Sequence, residues 1–307
     1  MTHARRLKTA VLYVVWLLMI VICTAPNVQA DPSVRFKLVQ KHLIVALVSV
    51  NGQGPFEFLI DTGTHLTLVD PLLVEELQLK SSTQVSLMTI SGKQSVPRSV
   101  LKSVQVGTAL LEHLEALTVD LTELRRVRPQ IRGMLGQNFL SRFNYLIDYH
   151  NQRIVFEEHQ EFEHQATGTR LPFVLDSGKI LISAQTSNHP AGELQLILDS
   201  GTPGLMLFEP TLQTRKVPVE RNGGFIMMAA ATTGVRPTQT GRLARVRVGD
   251  EFFENLPVTF VRGDSIAKTF AANGLLPTNL FQTLYVNNQK KFVVMNAETE
   301  AGMVVRK

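Results

Sequence analysis

The chain has 307 residues, 44% hydrophobic and 19% charged, with a formal net charge of +5 at pH 7. That length suits one large domain or two lobes, each with a core of its own. The charge gives no support to a nucleic-acid partner, because Arg5, Arg6 and Lys8 at the N-terminus account for much of it.

Residues 1–30 read as a signal peptide. Arg5, Arg6 and Lys8 precede an uncharged apolar run over residues 9–25, and Val28-Gln29-Ala30 has the small residues of a cleavage site. The alternative is an uncleaved anchor, since the run is near the lower limit for a spanning helix. Ile22 stands before Cys23 where a lipoprotein site needs a small residue. Either way the body of the protein is expected outside the cytoplasm, periplasmic or secreted. Contact with a membrane is expected only through this segment. Beyond Cys23 there is no cysteine to form a disulfide, and the chain has no Asn-x-Ser/Thr sequon. Both absences favour a bacterial envelope over a eukaryotic secretory route.

From Asp31 the texture is β. Leu43–Val50 is a β-branched apolar run, Asn51–Gly54 is a turn, and Phe56–Ile60 runs into Asp61-Thr62-Gly63-Thr64. Pro71–Leu79 is a short helix candidate, with Pro71 suited to its first position. Ser91-Gly92 marks another turn. Arg125, Arg126, Arg128 and Arg132 form a basic run that reads as a solvated loop, with an anionic partner as the lesser reading. Gly133-Met134-Leu135-Gly136-Gln137-Asn138-Phe139-Leu140 follows, then a tyrosine-bearing strand and polar turn over Tyr145–Val155. Residues 31–158 form the expected first lobe. The polar, acidic stretch 159–169 is the expected linker. His159 and His164 within it lack the spacing of a metal site, and no metal is expected.

The remainder, 170–307, repeats the plan. Ile180–Gln185, the turn Asn188–Gly192 and Leu194–Leu198 lead into Asp199-Ser200-Gly201-Thr202. Asn222-Gly223 and Gly249-Asp250 read as turns, with Ala244–Val248 as a strand between them. Gly274-Leu275-Leu276-Pro277-Thr278-Asn279-Leu280-Phe281 answers the Gly133 element, and Tyr285–Val294 answers Tyr145–Val155. Four features in one order at nearly one spacing indicate a duplicated lobe. Asp176-Ser177-Gly178 has the letters of an acid loop but precedes its strand instead of following it. It reads as a hairpin turn. Arg262-Gly263-Asp264 reads as a chance turn.

An apolar strand ending in a carboxylate is costly unless the charge is managed. Two such strands, one per half, suggest that Asp61 and Asp199 face each other and share a proton. That pairing needs no metal or cofactor.

On these residues the chain resembles the aspartic proteases. The match rests on the two tetrads and on Met134-Leu135-Gly136. It implies an all-β, bilobal fold of two related barrel-like lobes with a cleft between them, in a single-chain, two-lobed retropepsin-like member. It also implies an endopeptidase in which Asp61 and Asp199 activate a water. Thr62 and Ser200 would bond across the lobe interface, Thr64 and Thr202 would hold the outer carboxylate oxygens, and Gly63 and Gly201 would let backbone N–H groups approach. Flap candidates are Met88–Lys93 and Ile226–Gly234, one per lobe, with Met227 and Met228 either touching substrate or packing in a core. No long propeptide is expected. Pro277 departs from the family's glycine and puts the geometry behind Asp199 in question.

The partner expected is a peptide or protein substrate, and the chain is expected to be a monomer. The rival reading is a non-catalytic peptide-binding or inhibitor-like protein on the same fold. A two-carboxylate glycosidase has little support, because the only tryptophan, Trp16, lies in the leader.

Overall fold

The computed structural model describes residues 33–89, 92–157, 167–186, 192–209, 217, 219–230, 234–261 and 271–297. The expected signal peptide, most of the expected linker, the tips of both flap candidates and Arg262–Asp264 lie outside these residues. Among the described residues no helix is long and apolar enough to cross a membrane.

The first half opens as a meander of β1 (Ser33–Val39), β2 (Leu43–Val50) and β3 (Gln53–Ile60). Leu43–Val50 is nearly all buried, as a run apolar on both faces must be. Asn51 and Gly52 turn the chain with φ of 53° and 74°, the primed geometry that suits twisted strands. Next come β4 (Thr67–Val69) and α1 (Pro71–Glu76), which Asp70 caps by accepting the Leu72 N–H at 3.0 Å. The helix ends before the predicted Leu79, because Gln78 adopts a φ of 50°. The half continues through β5 (Ser81–Thr89), β6 (Gly92–Val106), β7 (Ala109–Thr118), α2 (Thr122–Val127), β8 (Ile131–Leu135) and α3 (Gln137–Leu140). It closes with the hairpin β9 (Asn144–Asp148) and β10 (Arg153–Glu157).

The second half comprises β11 (Arg170–Pro172), β12 (Val174–Asp176), β13 (Lys179–Gln185), β14 (Glu193–Asp199), β15 (Leu205–Phe208), β16 (Val219–Ala230), β17 (Gly234–Val248), β18 (Glu251–Val261) and β19 (Gly274–Pro277). A 3-10 turn at Thr278–Leu280 leads to the hairpin β20 (Thr283–Asn287) and β21 (Phe292–Met295). Asn222-Gly223 is no hairpin turn. It lies inside β16, where the register against β17 slips between Asn222 and Phe225, and a glycine within a strand commonly marks such a bulge.

The strand order β1-β2-β3-β8-β4-β7-β6-β5 in the first half is matched strand for strand by β12-β13-β14-β19-β15-β18-β17-β16 in the second. Both flap candidates belong to long edge hairpins, β5–β6 and β16–β17. The two terminal hairpins join the halves: β9 pairs with β20 across them, from Tyr145↔Val286 to Asp148↔Thr283. All five residues of β9 are buried. One apolar core runs through both halves, from Ile44 and Phe58 through Tyr145 and Phe156 to Leu284 and Val293. Each large apolar side chain in it contributes about 1.5–3 kcal/mol by leaving water.

Candidate active site

In each half the acid sits where a strand meets a crossover. β3 runs parallel to β8, pairing Ile60 with Leu135, while β4 lies antiparallel on β8's other side, pairing Leu68 with Met134. The Asp61 loop therefore straddles the end of β8, and the Asp61 N–H donates to the Leu135 carbonyl at 3.0 Å. The second half repeats this with β14, β19 and β15, pairing Leu198 with Leu276 and Met206 with Leu275. This topology explains why a Met-Leu-Gly-type element accompanies each tetrad.

The two loops are locked to each other by four hydrogen bonds. Thr62 Oγ1 donates to the Leu198 carbonyl at 2.8 Å and accepts the Ser200 N–H at 3.0 Å. Ser200 Oγ donates to the Ile60 carbonyl at 2.8 Å and accepts the Thr62 N–H at 3.0 Å. Both side chains are buried. Each hydroxyl satisfies one donor and one acceptor of the opposite loop's backbone, which otherwise would be costly to bury.

Gly63 and Gly201 donate their N–H groups to the carboxylate of their own half, at 2.8 Å to Asp61 Oδ1 and 2.7 Å to Asp199 Oδ1. Neither has a positive φ, so the need for glycine is one of space. A Cβ on Gly63 would lie 2.4 Å from the Asp199 carboxyl carbon. One on Gly201 would lie 3.1 Å from that of Asp61.

Asp61 and Asp199 are both buried, and each carboxyl lies against the loop of the other. Burial raises both above the usual carboxylate range. Asp199 is raised well above it, by burial first and then by the charge of Asp61. Asp61 is held back by the hydroxyl of Thr64, whose Oγ1 donates to Oδ2 at 2.8 Å, and by the Gly63 N–H. Here the halves part. Thr202 was expected to present its hydroxyl to Asp199, but Thr202 Oγ1 donates to the Gly204 carbonyl at 3.0 Å instead. A hydroxyl with one proton cannot serve both.

The question raised by Pro277 has a structural answer. In the first half the Gly136 N–H donates to Thr67 Oγ1 at 3.3 Å, and a Cβ on Gly136 would meet the Leu66 backbone at 2.8 Å. In the second half the place of Thr67 is taken by Leu205, at the head of β15. Leu205 has no hydroxyl awaiting a donor, so the missing proline N–H costs nothing there. Pro277 pairs with Asp199 in the β14–β19 ladder, with a φ of −71° that suits proline.

Two supporting residues were not read from the sequence. Gln137 Nε2 donates to the Thr62 carbonyl at 2.9 Å, bracing the first loop from below. Tyr149, at the end of β9, makes a short hydrogen bond with Thr278 Oγ1. Burial raises its phenol above the usual range, and the charge of Asp199 adds to the shift. Gln137 follows a noted element and was within reach of the sequence. Tyr149 was not, because it crosses from one half to the other.

Three arginines of the basic run have carboxylate partners within the chain, and the first two lie on α2. Arg125 bonds the fully buried Asp70, and Arg126 bonds Glu123. Arg128 grips Glu57 with two bonds of 2.7 Å and holds its carboxyl down to about 2. Asp176-Ser177-Gly178 is the hairpin turn between β12 and β13, with Asp176 paired to Lys179 and φ of 49° and 75° at Ser177 and Gly178.

Residues 46–139 match a family model described as aspartyl protease. The match spans the Asp61 loop, the first flap hairpin and the Gly133 element. No curated protein matches the chain. Among solved structures the chain is similar to a retropepsin-like aspartic protease from Rickettsia conorii, at 17% identity over 40% of this chain and 87% of that one, with a TM-score of 0.30.

Proposed function

We propose that this chain is an exported aspartic endopeptidase of the retropepsin-like type that hydrolyses peptide bonds with a water activated between Asp61 and Asp199. The observation that carries the reading is the four-bond lock between Thr62 and Ser200, which sets one carboxyl from each half against the loop of the other. Export rests on the leader over residues 1–30 alone.

Two buried carboxylates this close carry one proton between them, as aspartic proteases do in general. The pair titrates as a unit, and its surroundings are unequal. Asp61 has the Thr64 hydroxyl and the Gly63 N–H on its oxygens, which favour charge. Asp199 lacks the hydroxyl. Asp61 is therefore the ionised partner that takes a proton from the water, and Asp199 the acid that hydrogen-bonds the scissile carbonyl. As water attacks, the carbonyl oxygen gains charge and takes up the Asp199 proton. The proton gained by Asp61 then passes to the leaving amine as the C–N bond breaks. Substrate lies extended between the β5–β6 and β16–β17 hairpins, whose backbones offer main-chain partners.

The rival reading, peptide capture without hydrolysis, leaned on Pro277. With Leu205 in the place of Thr67, that residue no longer argues against a competent second loop.

Asp61→Asn and Asp199→Asn variants of the protein from Asp31 onward, assayed with a peptide library from acidic to neutral pH, test the proposal. The wild type is expected to cleave, a statine transition-state mimic to block it, and each variant to lose activity by at least about a hundredfold. A wild type that cuts nothing, or a variant that cuts at the wild-type rate, defeats the two-aspartate reading.

A further inference from the structure

The turn Asp176–Lys179 imitates the acid loops in its letters and lies beside them in space. A Cβ on Gly178 would fall 1.8 Å from His65 Nδ1, so the turn rests on the residue that follows the first tetrad. It is also held from behind, because Asp176 Oδ2 accepts the Ala271 N–H at 3.1 Å. Ser177 and Gly178 supply the two positive φ angles of a tight hairpin, which leaves little freedom in where Lys179 begins. Lys179 is half-buried and leads into the buried Ile180 and Leu181 of β13. The β13–β14 register, Ile182↔Leu196 then Leu181↔Ile197, runs toward Lys179 and Asp199, and the position of Lys179 in the first half is occupied by the buried, apolar Leu43.

We propose that this turn is a wall of the catalytic site, and that Lys179 is a positioning residue that holds a cation beside Asp61 and Asp199 and so sets the pH range in which they share one proton. The proposal rests on the two-aspartate reading above. The ammonium feels three carboxylates: Asp176 on its own turn, Asp61 on the first acid loop and Asp199 on the second. Burial lowers its affinity for a proton, and the three charges oppose that. His65 stands on the first acid loop against the same turn, and the Tyr149 hydroxyl lies near Asp199. A cation favours the ionised form of a nearby carboxyl. Both ionisations of the pair are thus drawn to lower pH, and so is the window in which exactly one proton remains.

The decisive measurement is 13C NMR titration of the aspartate carboxyls in wild type, Lys179→Met and Lys179→Arg, with Asp61→Asn and Asp199→Asn for assignment. Lys179→Met is expected to raise both steps of the pair by about half a unit to one unit, and to move both limbs of the pH–kcat/KM profile the same way. Lys179→Arg should leave both near wild type. Lys179→Gln replaces Lys179→Met if the latter does not fold. Unchanged titration in the neutral variant, or an equal shift in Lys179→Arg, overturns the proposal. The titration needs no turnover. If Asp61→Asn leaves cleavage intact, the hydrolytic reading falls while the fate of Lys179 is still decided by NMR.

Discussion

Thr62→Val tests whether the lock between the halves is a matter of hydrogen bonds or of shape. Valine keeps the volume of threonine and removes the hydroxyl. The Leu198 carbonyl and the Ser200 N–H then lose partners at 2.8 Å and 3.0 Å in a site where Thr62 is fully buried. A buried polar group left without its partner costs about 1–3 kcal/mol, so the pair costs about 2–6 kcal/mol together. Total stability for a protein of this kind is on the order of 5–15 kcal/mol, so the loss is large but leaves a folded protein to measure. Thr62→Ser is the comparison, because it copies the residue at the matching position of the other half, Ser200. It keeps both bonds and removes one methyl group, for about 1 kcal/mol. Urea unfolding reads the difference as a midpoint shift at constant slope. Peptide cleavage adds a second reading: Thr62→Ser should retain most of the rate, while Thr62→Val should lose about a hundredfold from displaced carboxylates. If Thr62→Val unfolds at the same midpoint as Thr62→Ser, the hydroxyl bonds do not hold the halves in register and the argument fails.

Gly63→Ala should abolish cleavage, with kcat/KM down by about a hundredfold or more, because its Cβ falls 2.4 Å from the Asp199 carboxyl carbon. Gly201→Ala, at 3.1 Å from that of Asp61, should lose less, and equal losses would contradict the geometry. Asp199→Asn should make the protein more resistant to urea near pH 7 and change little near pH 3. The raised pKa of Asp199 means that the folded state holds a proton which the unfolded chain releases above about 4. Stability present at low pH is therefore lost as pH rises toward the folded-state value, and asparagine removes that loss. An Asp199→Asn variant whose stability differs from wild type by the same amount at both pH values would count against a raised Asp199.

Much of this was legible in the sequence because the duplication repeats local signals. Apolar runs before each acid, primed turns such as Asn51-Gly52 and the recurring Gly133 and Gly274 elements are short-range patterns, and they mark strands and loops directly. The Asp176 turn was separable from the true acid loops by its order relative to its strand. What was not legible depends on contacts between distant segments. The pairing of β9 with β20 joins two hairpins that each look complete alone. Arg128 and Glu57 are 71 positions apart, so the basic run looked unpaired. Asn222-Gly223 has the composition of a turn, and only its continuous pairing with β17 makes it a bulge. The hydroxyl of Thr202 turns to the Gly204 carbonyl, a choice that composition does not reveal.

A duplicated site faces a physical difficulty that its symmetry creates. Two identical loops would give two carboxylates with equal claims on one proton, whereas general base and general acid are different tasks. Several departures from symmetry in this chain fall around that proton. Thr64 supports Asp61, while its counterpart Thr202 turns to Gly204. Thr67 accepts the Gly136 N–H, while Leu205 and Pro277 replace that bond with an apolar contact position and a fixed φ. Tyr149 reaches Thr278 below the second loop, where Gln137 braces the first. The lock itself, by contrast, keeps its symmetry in all four bonds. Symmetry is retained where two carboxylates must be brought together, and relaxed where they must be told apart. On that division Pro277 belongs with the features that distinguish the second acid, not with damage to it.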